Sequence, residues 1–411
     1  MPKVRLDSWK SIADYLERSP RTVQRWHAYH GLPVHHFGGC KGSVFAYAEE
    51  IDRWLTSLAQ ESRVFEGHGE ETLALRRSQS RELVTRAHEM WESRSDESLQ
   101  LIAGLYRKAI DQNPANTEAL TGLANAMISA ALHGAMDGAI AYPAATEALR
   151  RTAQLDAEAA ETRCAASWLM LVYERKGLQA RAGFEEVLSR HPDSSFALGG
   201  MALSHVAQGD LEGARAWIWK AWQRNTFVPI LGALVCWIEY LAGASDAALN
   251  MVEQMRMSGS FGGTLAMIEA LAHFQSGSHH ARSKRIAALA ADHPQCFNLQ
   301  GVLAYSLVLS GKAAAAREIY AAAGLMNKQK KRSNAYGMAL LEMSLGNELE
   351  AIRWLEISYT EGSLWSLGLS SDPVLDSLRA HARFQSLLGR CGLPVAASRF
   401  GAHLELIPRA G

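Results

Sequence analysis

The stretch Ser195–Asn225, SFALGGMALSHVAQGDLEGARAWIWKAWQRN, decides the fold. It reads as a helix, a tight turn at Gly209 and a second helix, with small residues at Ala202 and Ala214 where the two axes come close. Working outward, Gly209, Gly243, Gly277 and Gly311 are spaced 34 residues apart, and Gly346 follows after 35. Ala202, Cys236, Ala270 and Ala304 keep the same phase, with Ala339 one residue late, and Ala214, Ala248, Ala316 and Ala351 each stand five residues after their glycine. Pro192 and Pro294, 102 residues apart, end helices three periods from each other. A fixed period of this length marks stacked helix pairs, none of which buries its apolar side alone. About eight units fit between Glu82 and Gly362. The second is lengthened by a longer turn at Gly134, Gly138 and Pro143, the third has Gly177 two residues out of phase, and in the sixth Arg282 replaces the usual small residue.

This pattern resembles the tetratricopeptide repeat, in the quoted stretch and in ALTGLANA, preceded by LYRKAIDQNPAN, whose Tyr106, Ala109 and Pro114 sit at the family's spacing. The resemblance implies an α-solenoid whose first helices line a concave groove open to a protein or peptide partner. The later stretch DPVLDSLRAHARFQSLLGRCGLP is similar to the terminal helix that closes such arrays in bacterial regulators, and is expected to cover the last apolar face. Trp217, Trp219 and Trp222 on one helix, with Trp237 on the next, cannot all face one core. Some pack helices together, and one or two are candidates to line a ligand groove.

Ahead of the array, Ala59–Ser80 carries Gly67, Gly69, Glu70, Glu71, Arg76 and Arg77 with little apolar periodicity and reads as a linker. The chain then divides into an N-terminal module over 1–58, the linker 59–80, the array with its closing helix over 81–395, and a tail 396–411. In the module, Asp7 or Ser8 caps a helix with its apolar stripe at Trp9, Ile12, Ala13 and Leu16. Ser19 then supplies a cap, Pro20 a first helical position and Gly31 a stop, so a second helix is predicted over Pro20–His30. On it Val23, Trp26 and His30 share one face while Arg21, Arg25 and Ala28 share the opposite one. Two guanidiniums one turn apart suit guanine edges or phosphates, and a small Ala28 between them lets the helix enter a major groove. LPVHHFGGCKGSVFAY alternates into and out of a Gly-rich turn, a hairpin with Lys41 at its tip, and the following helix is expected to turn Ile51, Trp54, Leu55 and Leu58 inward.

Taken together, W-K-x-I-A-x-Y-L, S-P-R-T-V-Q-R-W and the closing D-R-W-L resemble the excisionase/MerR-type winged helix-turn-helix over about residues 6–58. The resemblance implies that Arg21, Thr22, Gln24 and Arg25 contact DNA from the recognition helix and Lys41 from the wing.

Composition agrees with a folded protein, 411 residues, 48% hydrophobic and 20% charged, with 11 prolines, and the repeat pattern makes it mainly α. Lys plus Arg and Asp plus Glu are 42 each, but residues 1–48 hold seven basic residues (Lys3, Arg5, Lys10, Arg18, Arg21, Arg25, Lys41) against three acidic ones (Asp7, Asp14, Glu17). The N-terminal end is therefore positive. Five widely spaced cysteines suit a reducing compartment. Met1–Asp7 has no apolar leader character, and the most apolar run, Phe227–Ile238, is 12 residues, short of the roughly 20 needed to span a bilayer. A cytoplasmic protein with no membrane partner is expected.

No enzyme signature and no cofactor motif is present. GGCKGS lacks the Lys-Ser/Thr pair and following helix of a phosphate loop, and HEMWE at His88 lacks a second histidine. His27, His30, His35, His36 and Cys40 match no metal-ligand spacing. The run Lys328, Lys330, Lys331, Arg332 reads as a solvated loop between units. The favoured reading is a transcription regulator whose module binds duplex DNA, in two copies, and whose array senses a protein, peptide or other effector. The alternative is a protein-interaction scaffold with a helix-turn-helix docking module and no specific DNA target.

Overall fold

The structure, a computed structural model, describes residues 4–36, 44–92, 98–156, 159–226, 228–258, 262–275, 279–294, 296–329 and 335–395. It forms two compact units, Met1–Ser78 and Gln79–Gly411.

In the first unit, β1 (Arg5–Leu6), α1 (Trp9–Tyr15), α2 (Pro20–His30), β2 (His35–His36) and β3 (Val44–Tyr47) precede the start of α3 (Ala48–Glu92). The cap chemistry fixes α1 and α2. The Ser8 side chain accepts from the Ser11 amide and that of Ser19 from the Thr22 amide, while Gly31 ends α2 in the left-handed region at φ 68°. The bounds of α2 are those its capping residues predict. β2 and β3 pair antiparallel, and β1 adds to the other edge of β3, giving the order β1-β3-β2. That third strand was not expected, because two residues carry no strand pattern of their own. Lys41, at the expected hairpin tip, lies outside the described residues.

Residues 59–80, expected as a linker, lie within the continuous helix α3. Two glycines cost a helix about 1 kcal/mol each relative to alanine, and the Ala, Leu, Glu, Gln and Arg residues around them favour it. Leu55 is 40% exposed rather than turned inward, and the Leu58 side chain lies outside what is described.

The second unit stacks helix pairs. The end of α3 faces α4 (Leu99–Gln112) through Ser80, whose hydroxyl donates to the Ala109 carbonyl at 2.8 Å. The following pairs are α5 (Thr117–Leu132) with α6 (Gly138–Leu155), α7 (Ala160–Val172) with α8 (Gly177–Arg190), and α9 (Ser195–Ala207) with α10 (Leu211–Arg224). Next come α11 (Pro229–Leu241) with α12 (Ser245–Met257), α13 (Gly263–Gln275) with α14 (His279–Asp292), α15 (Phe297–Leu309) with α16 (Ala313–Gln329), and α17 (Ala335–Ser344) with α18 (Glu348–Thr360). The expected small positions Ala202, Cys236, Ala270, Ala304 and Ala339 are fully buried. Two backbones come into contact at Gly301 of α15, where an added Cβ would strike the Gly337 carbonyl of α17. The turn glycines 209, 243, 311 and 346 have φ of 71°, 81°, 76° and 80°, while Gly277 lies outside the described residues.

Three departures from the expected pattern have local reasons. In the third unit the left-handed position is Arg175, at φ 59° and 34 residues before Gly209, so the turn keeps phase and Gly177 simply begins α8. In the second, Asp137 caps α6 and Pro143 lies inside the helix, not in a longer turn. Arg282, in place of a small residue, reaches back to the Phe274 carbonyl at 2.5 Å.

After α18 the chain runs through two 3-10 turns, Leu364–Leu367 and Pro373–Leu378, to α19 (Ala382–Arg390). α19 lies beside α18, with Arg383 bound to Glu356 at 2.7 Å and Arg390 to the same carboxylate. The rest of this segment does not cap the end of the stack. It runs across the first helices, on the side that an open array leaves to solvent.

Candidate functional site

The first candidate is the outer face of α2. Its inner side is fixed by Val23, fully buried with Ile12, Ala13, Leu32, Val44, Ala46 and Ile51. Trp26 and Trp54 pack at 5.9 Å, the Trp54 indole donates to the His30 carbonyl at 2.9 Å, and the His27 Nδ1 meets the Leu32 carbonyl oxygen at 2.9 Å. These contacts hold the helix by its back and C-terminal end. Arg21, Gln24, Arg25 and Ala28 are exposed side by side on the front. Thr22 is half-buried, its hydroxyl 2.8 Å from that of Ser19, and so serves the cap. Of the histidines weighed as metal ligands, His27 and His36 have ring centroids 5.9 Å apart, whereas His35 is bound to Glu50 at 2.6 Å. Cys40 lies outside the described residues. The arrangement suits recognition: cationic and amide donors stand exposed on the face of a helix held from behind.

The second candidate, the concave groove, is occupied by the chain itself. Trp365 stacks on Tyr336 at 5.2 Å and meets Trp237 edge-on at 6.0 Å, and a Cβ on Gly368 would lie 2.8 Å from the Trp237 ring. Asp372, fully buried, accepts from the Tyr240 hydroxyl at 2.6 Å, from the Tyr336 hydroxyl and from the Val374 amide at 3.2 Å. Burial raises the Asp372 carboxyl above the usual aspartate range, although those three donors and Arg379 pull it back. Farther along, Pro394 packs against the turn at Gly209. The expected partner groove on the first helices of these units is therefore filled.

The same segment closes the stack on itself. The Tyr142 hydroxyl of α6 donates to the Gly362 carbonyl at 2.7 Å. Arg175 donates to the Tyr359 carbonyl at 2.7 Å and the Ser366 hydroxyl at 3.0 Å, with its guanidinium 4.3 Å from the Tyr359 ring centre. A non-glycine residue in the left-handed region costs roughly 1–2 kcal/mol, which this set of contacts offsets.

Two further buried carboxylates of the array are ion-paired. Glu239 takes Arg215 at 3.1 Å and the Trp219 indole at 2.7 Å, so Trp219 is a helix-packing residue. Glu269 takes Arg256 and Arg285. Burial pushes its carboxyl up, but His273, Arg285 and Arg256 hold it below the usual range. Trp237 is core, and Trp217 packs under Lys220 at 5.1 Å. An apolar groove of about 370 Å³ lies over Ala287, Ala290, Pro294, Phe297, Leu303 and Ile319, between α14, α15 and α16. Sequence reasoning missed it, since its lining belongs to three helices whose spacing no local pattern reports.

No protein-family model and no curated protein sequence matches the chain. Solved structures do match. Yeast Tom70 is 12% identical over 93% of this chain and 83% of its own, with a TM-score of 0.40. A tetratricopeptide repeat protein from Parabacteroides merdae is 13% identical over 65% and 99%, with a TM-score of 0.42. A chain of the APC/C hetero-tetramer Cut9-Hcn1 is 14% identical over 75% of this chain and 55% of its own, with a TM-score of 0.49. The tetratricopeptide-like character of the second unit stands on its own helix pairs and left-handed turns. Among the described residues, no helix is long and apolar enough to cross a membrane.

Proposed function

We propose that the chain is a DNA-binding regulator without catalytic activity, working in the cytoplasm. Its N-terminal unit, a winged helix-turn-helix, lays α2 on duplex DNA, and its array carries a protein or peptide partner. The observation that carries this reading is the front of α2: Arg21, Gln24 and Arg25 stand exposed around Ala28, directly opposite the buried Val23. A positive N-terminal segment adds sequence-independent attraction to phosphates. A module this small reads few base pairs, so two copies on a two-fold site are part of the proposal, with Arg21, Gln24 and Arg25 on base edges and Lys41 on the backbone. Because the channel is filled, the partner is assigned to the outside of the array. The second reading, an interaction scaffold with no DNA target, draws support from the apolar groove beside α15.

An electrophoretic shift with a random-sequence duplex pool separates the two. The full chain is expected to bind with affinity that falls steeply with salt. Arg21→Ala with Arg25→Ala is expected to weaken binding at least tenfold, as loss of base contacts worth roughly 1–3 kcal/mol each implies, with an unchanged melting curve. No shift by the full chain would leave the scaffold reading, and equal shifts by both proteins would move DNA binding off the front of α2.

A further inference from the structure

We propose that Tyr29 is a neutral clamp on the DNA sugar–phosphate backbone; this rests on the DNA-binding reading above and adds a contact that reading does not contain. Tyr29 is 79% exposed, an unusual placement for an aromatic ring on a short, well-capped helix. At ~100° per residue, Gln24, Ala28, Arg21, Arg25, Tyr29 and Thr22 follow one another around the solvent side of α2, with Val23 opposite. The ring therefore shares the face that carries the arginines, one turn beyond Arg25.

Its position along the helix sets its role. Arg21, Gln24 and Arg25 occupy the first half of α2, the half that meets base edges when a helix of this type enters a major groove. Tyr29 comes eight residues after Arg21, about 12 Å along the axis, close to the ~12 Å width of that groove. It is also turned some 60° from the centre of the face. With the first half of the helix on the bases, such a side chain arrives at the groove rim, where deoxyribose and phosphate lie. The ring packs on the sugar and the hydroxyl donates to a phosphate oxygen, while Ala28 beside it leaves room for the approach. A phenol adds no cation there and so releases no counterion.

That last property gives the test, made by fluorescence anisotropy with the full chain. The probes are a random-sequence duplex pool and a duplex selected from that pool by the wild-type protein. Tyr29→Ala is expected to weaken binding to both about tenfold, Tyr29→Phe by less, with the slope of log Kd against log salt and the ranking of single-base variants unchanged. Arg25→Ala is expected to change the base ranking or lower the slope. Wild-type affinity in Tyr29→Ala, with Arg25→Ala impaired, overturns the clamp and leaves the DNA reading standing. An altered base ranking in Tyr29→Ala overturns the backbone assignment. If neither variant weakens binding, the DNA reading and the clamp fall together. Matching melting curves establish that each variant is folded.

Discussion

The N-terminal unit is built on Ile12, Ala13, Val23, Leu32, Val44, Ala46 and Ile51, none of them larger than leucine or isoleucine, whereas the array fully buries Trp237, Tyr106, Tyr142, Tyr240 and Tyr336. A thin core of this kind supplies little stability, so single capping bonds count for more there. Its polar face is turned outward and is available for a ligand. In the array, carboxylates go inside with partners that satisfy them: Arg215 on Glu239, two phenols on Asp372. The difference teaches where binding resides. A surface that owes nothing to its own core is free to bind, and the array's inner surface does not meet that condition.

The largest expected effect tests that last statement. Ending the chain after Gly362 removes Leu364, Trp365, Leu367, Leu369, Val374, Leu375 and Leu378, each at most 6% exposed. At roughly 1.5–3 kcal/mol per buried large side chain, the loss is as large as the whole 5–15 kcal/mol stability of a typical domain. The array is expected to lose cooperative thermal unfolding by circular dichroism and to bind a hydrophobic dye. A truncated chain that melts like the full one would show the inner surface to be an open groove after all.

Two of the buried carboxylates sharpen the comparison within the array. Asp372 has a raised carboxyl, so its contribution to stability is full below the ordinary aspartate range and is lost as pH rises through its folded value. Glu269 has a lowered one, so its contribution is full above the ordinary glutamate range and is lost as pH falls through its folded value. Urea midpoints should show the advantage of wild type over Asp372→Asn shrinking as pH rises from about 4. The advantage over Glu269→Gln should shrink as pH falls below about 4. Slopes of the same sign would mean that ion pairing and phenol bonding do not distinguish these sites.

The smallest effect belongs to the thin-cored unit. Ser19→Ala removes the acceptor for the Thr22 amide and is expected to cost about 1 kcal/mol. Hydrogen exchange in the full chain should then quicken in the amides of α2, with α9 and α11 unchanged. Equal protection of α2 in both proteins would mean that its core, not its cap, holds the helix.

What the sequence revealed follows from the range of the interactions involved. α2 was legible because Ser19, Pro20 and Gly31 act on backbone groups within a turn of themselves. The helix pairs were legible because a 34-residue period repeats the same local solution. The helix through 59–80 was hidden by Gly67 and Gly69, which suggest a break that the surrounding residues override. The filled channel had no local signal, since Asp372 meets Tyr240 across 132 residues of chain. The front of α2 could be read residue by residue, including Tyr29, whose place beside Arg25 is a matter of helical projection alone.

Closure of the stack has a consequence for synthesis. In an open repeat array each finished unit is supported by its neighbour as it emerges. Here the Tyr142 hydroxyl waits for a carbonyl 220 residues later in the chain. At about 5–20 residues per second that wait is roughly 10–45 s, and α11, finished later, presents an uncovered apolar face for roughly 7–26 s of synthesis before Asp372 is made. A ribosome stalled in this interval releases not a shorter working array but a sticky intermediate, so the nascent chain is expected to need a holding chaperone until Asp372 leaves the exit tunnel. Ribosome-bound chains ending before and after that residue should differ sharply in chaperone occupancy.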